Sequence, residues 1–128
     1  MLDFIKNIFF SMAATTLSVV ESKNEYSEMF YLIWLDSTSN DDRQTEERLR
    51  SINNQLEIFQ DVSKCLKYIE QLSDKDRLVL IVSGRLGKEI TPFINNIDKV
   101  LSIYVYCYNK ELNEEWSTNY SKVKFLFL

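Results

Sequence analysis

Leu78-Val79-Leu80-Ile81-Val82 runs directly into Ser83-Gly84-Arg85-Leu86-Gly87-Lys88-Glu89. The first five residues are apolar without interruption and rich in β-branched side chains. That is the pattern of a strand covered on both faces, as in a parallel sheet. The residues after it hold both glycines of the chain, with its one proline, Pro92, close behind. Helical spacing then carries on from about Leu86 to Asp98. A buried strand delivering into a helix at a glycine-bearing junction is half of a β-α-β unit.

Reading outward, the same alternation repeats. Met29 to Leu35 is a second continuous apolar run, ended by Asp36. A helix is expected from the polar stretch after Asp42 to about Asn53, with Thr45, Leu49 and Ile52 on one face. Acidic residues at its start and Arg48 and Arg50 near its end suit the helix dipole. Leu56 to Gln60 reads as a short strand. Asp61 or Ser63 can cap the next helix, on which Val62, Leu66, Ile69 and Leu72 recur at helical spacing. Ser73 to Asp76 is a turn. Beyond the opening stretch, Val100 to Tyr106 is a fourth strand. Leu112 to Asn119 is a short helix with Leu112 and Trp116 inward, and Val123 to Leu128 is a fifth strand. Strands alternating with helices imply parallel pairing through right-handed crossovers. The expected fold is a three-layer, doubly wound α/β domain whose five strands take the flavodoxin-like order 2-1-3-4-5.

The totals agree with one domain spanning residues 1–128. The chain is 45% hydrophobic and 27% charged, which is ordinary globular composition. A net charge of −4 without a basic run argues against a nucleic-acid partner. There is no histidine, so Ser-His-Asp and Cys-His catalysis are excluded. Cys65 and Cys107 sit far apart in apolar runs. They read as buried free thiols in a reducing, cytoplasmic compartment rather than as a disulfide or a zinc site.

Asn7 to Val20 is uncharged and apolar, but shorter than the about 20 residues a membrane helix needs. Asp3 spoils the basic start of a signal peptide. Leu2, Ile5, Phe9, Met12 and Thr16 recur at helical spacing, so residues 1–20 are expected to be an extra helix packed on the domain. Residues 21–28 are a polar linker. Folds of this order usually end in a helix covering the sheet, and the N-terminal segment is the candidate for that place. No membrane association is expected.

A ligand of a doubly wound sheet sits past the carboxyl ends of the strands, where the strand order reverses. Asp36, Ser37, Ser83, Gly84, Arg85, Gly87 and Lys88 are expected there, beside the first and third strands. Glycines let a backbone approach an anion, and a helix N-terminus attracts one. The spacing departs from both the P-loop and the Gly-x-Gly-x-x-Gly dinucleotide motif. In the bland alternative, the glycines form a tight turn with positive φ, and Pro92 sits in a first helical turn. The carboxylates of Asp36, Asp41 and Asp42 are matched better to helix capping than to a divalent cation. Tyr104, Tyr106 and Tyr108 alternate along one strand face, as packing under a helix or as an interaction surface.

Two families share the layout. Receiver domains place a phosphoacceptor Asp at the end of the third strand and a Lys after the fifth. Here Ser83 occupies the first position and no Lys the second. TIR domains that cleave NAD carry a Glu in the helix after the third strand, and Glu89 stands in roughly that place. It is the one alternative catalytic residue. A closer resemblance covers about Phe30 to Phe127. Ile33-Trp34-Leu35-Asp36, Asp76 to Gly87, Ser102 to Cys107 and Asn113-Glu114-Glu115-Trp116 are similar to an uncharacterised N-terminal module of invertebrate multidomain proteins. That module precedes ADP-ribosyltransferase domains or tetratricopeptide repeats. The resemblance implies a non-catalytic signalling domain that binds a protein partner or forms a homodimer, without a cofactor. The competing expectation is a domain that binds a nucleotide or NAD through the junction after the third strand.

Overall fold

The computed structural model describes residues 29–107 and 109–127. The expected N-terminal helix (1–20), the linker (21–28) and Tyr108 lie outside the described residues. The elements in chain order are β1 (Phe30–Leu35), a 3-10 turn (Ser39–Asp41), α1 (Arg43–Ile52), β2 (Leu56–Phe59) and α2 (Val62–Gln71). Then follow β3 (Arg77–Ser83), α3 (Gly84–Ile94), β4 (Val100–Cys107), α4 (Lys110–Ser117) and β5 (Val123–Phe127). All four strand pairs are parallel and the order is β2-β1-β3-β4-β5, the flavodoxin-like arrangement.

The core divides at the sheet. On one face, Ile33, Leu35, Leu78, Leu80, Val82, Ile103 and Val105 pack against Cys65 and Ile69 of α2 and Leu86, Ile90 and Ile94 of α3, with Trp116 of α4 alongside. On the other face, Leu32, Trp34, Leu56, Val79, Ile81 and Tyr104 meet Leu49 and Ile52 of α1. Burying one such aliphatic side chain contributes about 1.5–3 kcal/mol, so these two clusters dominate the energetics.

Local chemistry fixes the ends of the helices. The Asp42 carboxylate accepts from Thr45 N at 3.0 Å and from Thr45 Oγ1 at 2.6 Å, starting α1. Asp61 does the same for α2 through Lys64 N at 2.9 Å. At the far end of α2, Lys99 Nζ donates to the carbonyls of Ile69 (3.1 Å) and Leu72 (2.7 Å), placing a cation on a helix C-terminus. Asn109 starts α4 by accepting from Leu112 N at 3.0 Å. That helix therefore begins before Leu112, and Leu112 is 61% exposed rather than inward. Its buried side is formed by Asn113 and Ser117, with Trp116 half-buried between them.

Candidate functional site

The carboxyl edge of the sheet brings the ends of β1, β3 and β4 into line. Leu35 is in register with Val82, and Ser83 with Tyr106, so Asp36 and Ser83 leave their strands at the same level. Ser83 is the last residue of β3 and the next residue already belongs to α3; no loop intervenes. Gly84, Arg85, Gly87, Lys88 and Glu89 are all residues of that helix.

The glycines have a different purpose from either expectation. Neither has positive φ, so the positive-φ turn is corrected. A Cβ on Gly84 would lie 2.8 Å from Asn113 Oδ1 and 3.2 Å from Cys107 Cβ. A Cβ on Gly87 would lie 3.2 Å from Val82 Cγ1 and 3.3 Å from Val105 Cγ2. Glycine here lets α3 press onto β3, β4 and α4 more closely than any side chain allows. Pro92 is also displaced from its expected place. It lies two residues before the end of α3, not in the first turn, and its exposed ring takes no part in the core.

Asp36 is half-buried, and its carboxylate accepts three side-chain-directed hydrogen bonds. Oδ1 accepts from Thr38 N at 2.9 Å and from Thr38 Oγ1 at 3.0 Å, closing an Asx-type turn. Oδ2 accepts the Tyr106 hydroxyl in a short contact, and that hydroxyl in turn accepts Trp34 Nε1 at 3.1 Å. Burial first, then the bond to Asp36, raises the Tyr106 phenol well above the usual tyrosine range, while the bond from Trp34 opposes this. The network thus holds a neutral phenol between an indole and a carboxylate. Tyr106 packs with the α1-side cluster, so Asp36 is directed toward that face, whereas α3 packs on the opposite one. Ser37 is exposed in the turn between. Gln60 Nε2 donates to Ser39 Oγ (2.7 Å) and Asn40 Oδ1 (3.0 Å), pinning that turn to the end of β2.

Arg85, Lys88 and Glu89 are exposed on α3, in one stripe with Pro92 and Phe93. Ser83 makes no side-chain cap, so the first N–H groups of α3 have no side-chain acceptor from it. Asp42 is committed to capping α1, and among the described residues no three cysteine or acidic side chains gather to hold a metal ion. No helix among the described residues is long and apolar enough to cross a membrane. Both cysteines are free and buried, and burial pushes the Cys65 thiol up to about 12.

No protein-family model matches this chain, and no curated protein or solved structure is significantly similar to it. Its own side chains must carry the functional reading. Trp34 and Thr38 lie outside the site expected from the sequence, and Tyr106, expected as packing or an interaction surface, packs with the α1-side cluster and also bonds Asp36. A signal for them was present: Trp34 and Asp36 are two apart at a strand end, so they share a face, and Tyr106 sits near the matching end of a later strand.

Proposed function

We propose that this is a non-catalytic protein-interaction domain of signalling type, acting through a protein partner or a second copy. The observation that carries the reading is the state of the carboxyl edge. Asp36, the carboxylate best placed to serve a ligand, already accepts three hydrogen bonds from Thr38 and Tyr106. The glycines that would have cradled an anion are committed to helix packing instead. What α3 offers to the outside is a stripe of Arg85, Lys88, Glu89, Pro92 and Phe93, with Phe93 66% exposed. Aromatic and arginine side chains are enriched in protein contact surfaces, and their presence together on this exposed stripe supports the interaction reading.

A second reading, binding of a nucleotide or NAD, rests on the uncapped first turn of α3 beside Arg85 and Lys88. Two measurements on the purified chain separate the two. Incubation with NAD should leave the dinucleotide intact, in wild type and in Glu89→Ala alike. A thermal-shift screen with nucleotides and sulfate should give no stabilisation that Arg85→Ala abolishes. Protein-dependent loss of NAD that disappears in Glu89→Ala overturns the proposal, and so does a nucleotide shift that depends on Arg85.

A further inference from the structure

Opposite charges are sorted onto two neighbouring helices. α3 and α4 pack side by side, with Gly84 of one against Asn113 of the other. Each connects two parallel strands, so both start at the carboxyl edge of the sheet and run in the same direction. Arg85 and Lys88 are exposed on the first two turns of α3, and Glu111 and Glu115 on the first two turns of α4. Among the described residues, none of these four forms an ion pair or a side-chain hydrogen bond. Phe93, 66% exposed on α3, and Leu112, 61% exposed on α4, add apolar area to the same pair of helices.

We propose that this face binds a second copy of the chain, with α3 of each protomer lying over α4 of the other. This rests on the interaction reading above and names its partner. A two-fold axis that brings one surface onto its own copy lies in the plane of contact. If the axis runs along the helices, between α3 and α4, each α3 falls on the partner's α4 and both keep their direction. Measured from the Gly84–Asn113 contact at about 1.5 Å per residue, Arg85 lies about 1.5 Å along, Lys88 about 6 Å along, Glu115 about 3 Å along and Glu111 about 3 Å back. Arg85 and Lys88 then come within side-chain reach of the partner's Glu111 and Glu115. Glu89, about 7.5 Å along, falls past that acidic pair, level with Thr118. If the axis instead crosses the helices at this level, α3 meets α3 and α4 meets α4, and every one of these charges faces its like. Charge therefore selects the first arrangement. The complement to each helix is carried by the same chain, which favours a second copy over an unrelated protein. The face is about 20 Å wide and, over the 11 residues of α3, about 16 Å long. That falls well short of the about 800 Å² per partner of a standard interface, so the dimer is a transient one.

The test is sedimentation velocity on the full chain at rising concentration. At low salt the sedimentation coefficient should climb from the monomer toward the dimer. It should fall back in about 1 M salt, where the screening length is about 3 Å. Arg85→Glu/Lys88→Glu should weaken self-association at least about tenfold, and so should Glu111→Lys/Glu115→Lys, because attractive exposed pairs become like-charge contacts. All four side chains are exposed, so the circular dichroism spectrum and Tm of each variant should stay close to wild type. Mixing the two variants should restore a one-to-one dimer, since the reversed α3 meets the reversed α4 and the two unreversed helices meet each other. A chain that stays monomeric at every concentration and salt overturns this proposal but not the interaction reading, which falls only to the NAD and nucleotide results above. A dimer indifferent to both reversals, or variants whose mixture fails to associate, overturns it as well.

Discussion

Replacing Gly84 by alanine places a Cβ 2.8 Å from Asn113 Oδ1 and 3.2 Å from Cys107 Cβ. An Asn side chain can ordinarily swing away, but this one is buried and held at both ends. Asn113 Nδ2 donates to Asn109 O at 2.7 Å, and Oδ1 accepts Trp116 Nε1 at 3.1 Å. Swinging it breaks one or both bonds, at about 1–3 kcal/mol for a buried group left without a partner. Moving α3 away from Cys107 instead costs about 1–3 kcal/mol of overpacking strain. Against this, alanine is the better helix former by about 1 kcal/mol in a helix interior and by less at a first position. The net expectation for Gly84→Ala is a loss of about 1–3 kcal/mol, which in a domain of this size lowers Tm by roughly 4–10 °C. Urea and thermal unfolding followed by circular dichroism measure it, with the m-value unchanged. Asn113→Ala removes the obstacle, so the double variant should recover about 1 kcal/mol or more of coupling. A neutral or stabilising Gly84→Ala, or independent effects in the cycle, refutes the packing account and returns the glycine to a role at a ligand.

Two further outcomes follow from the site and the core. Tyr106→Phe removes the hydroxyl that joins Trp34 to Asp36 and leaves the buried indole N–H without an acceptor. Urea unfolding should show a loss of about 1–3 kcal/mol with a change in Trp34 emission, and an unchanged midpoint contradicts the network. At alkaline pH, the Cys65 thiol is pushed from 9.0 up to about 12, by burial first and then by Asp61. The folded state therefore holds this proton more tightly than the unfolded chain. Its contribution is fully present below pH 9 and is lost as pH rises toward 12, with a slope of about 1.4 kcal/mol per pH unit. Urea midpoints across that window should fall less steeply in Cys65→Ala than in wild type; equal slopes refute it.

The architecture was open to a reader of the sequence because each strand carries its own signal. Leu78 to Val82 and Val100 to Tyr106 are apolar runs too short for core helices, and Asp61 announces the helix after it. The errors fall where one residue type answers to two physical demands. A glycine can be chosen for positive φ or for the space a missing Cβ leaves, and composition does not separate the two at Gly84 and Gly87. Residue type alone points Leu112 inward, because apolar residues are usually buried. The inward arc of α4 instead runs through Asn113 and Ser117, because Asn113 has work inside, bonding Asn109 and Trp116. The carboxyl-edge position of Asp36 was legible from the strand end. Its engagement was not, since the hydroxyl that binds it arrives from β4, far along the chain.

Strand order also shapes the birth of the protein on the ribosome. Leu32 pairs with Leu56 on one side and with Val79 on the other, so β1 has a ready neighbour in β2 but waits for β3 on its second edge. Parallel pairing cannot close by a tight hairpin; each partner must travel a whole helix first, and such non-local closure folds slowly. Until Arg77 to Ser83 has emerged, Leu32 to Leu35 present an open apolar edge to any other nascent chain nearby. The interval is set by the time needed to synthesise α2 and the turn after it. Slowing translation across that stretch should therefore lower the soluble yield more than slowing it across β4 to β5.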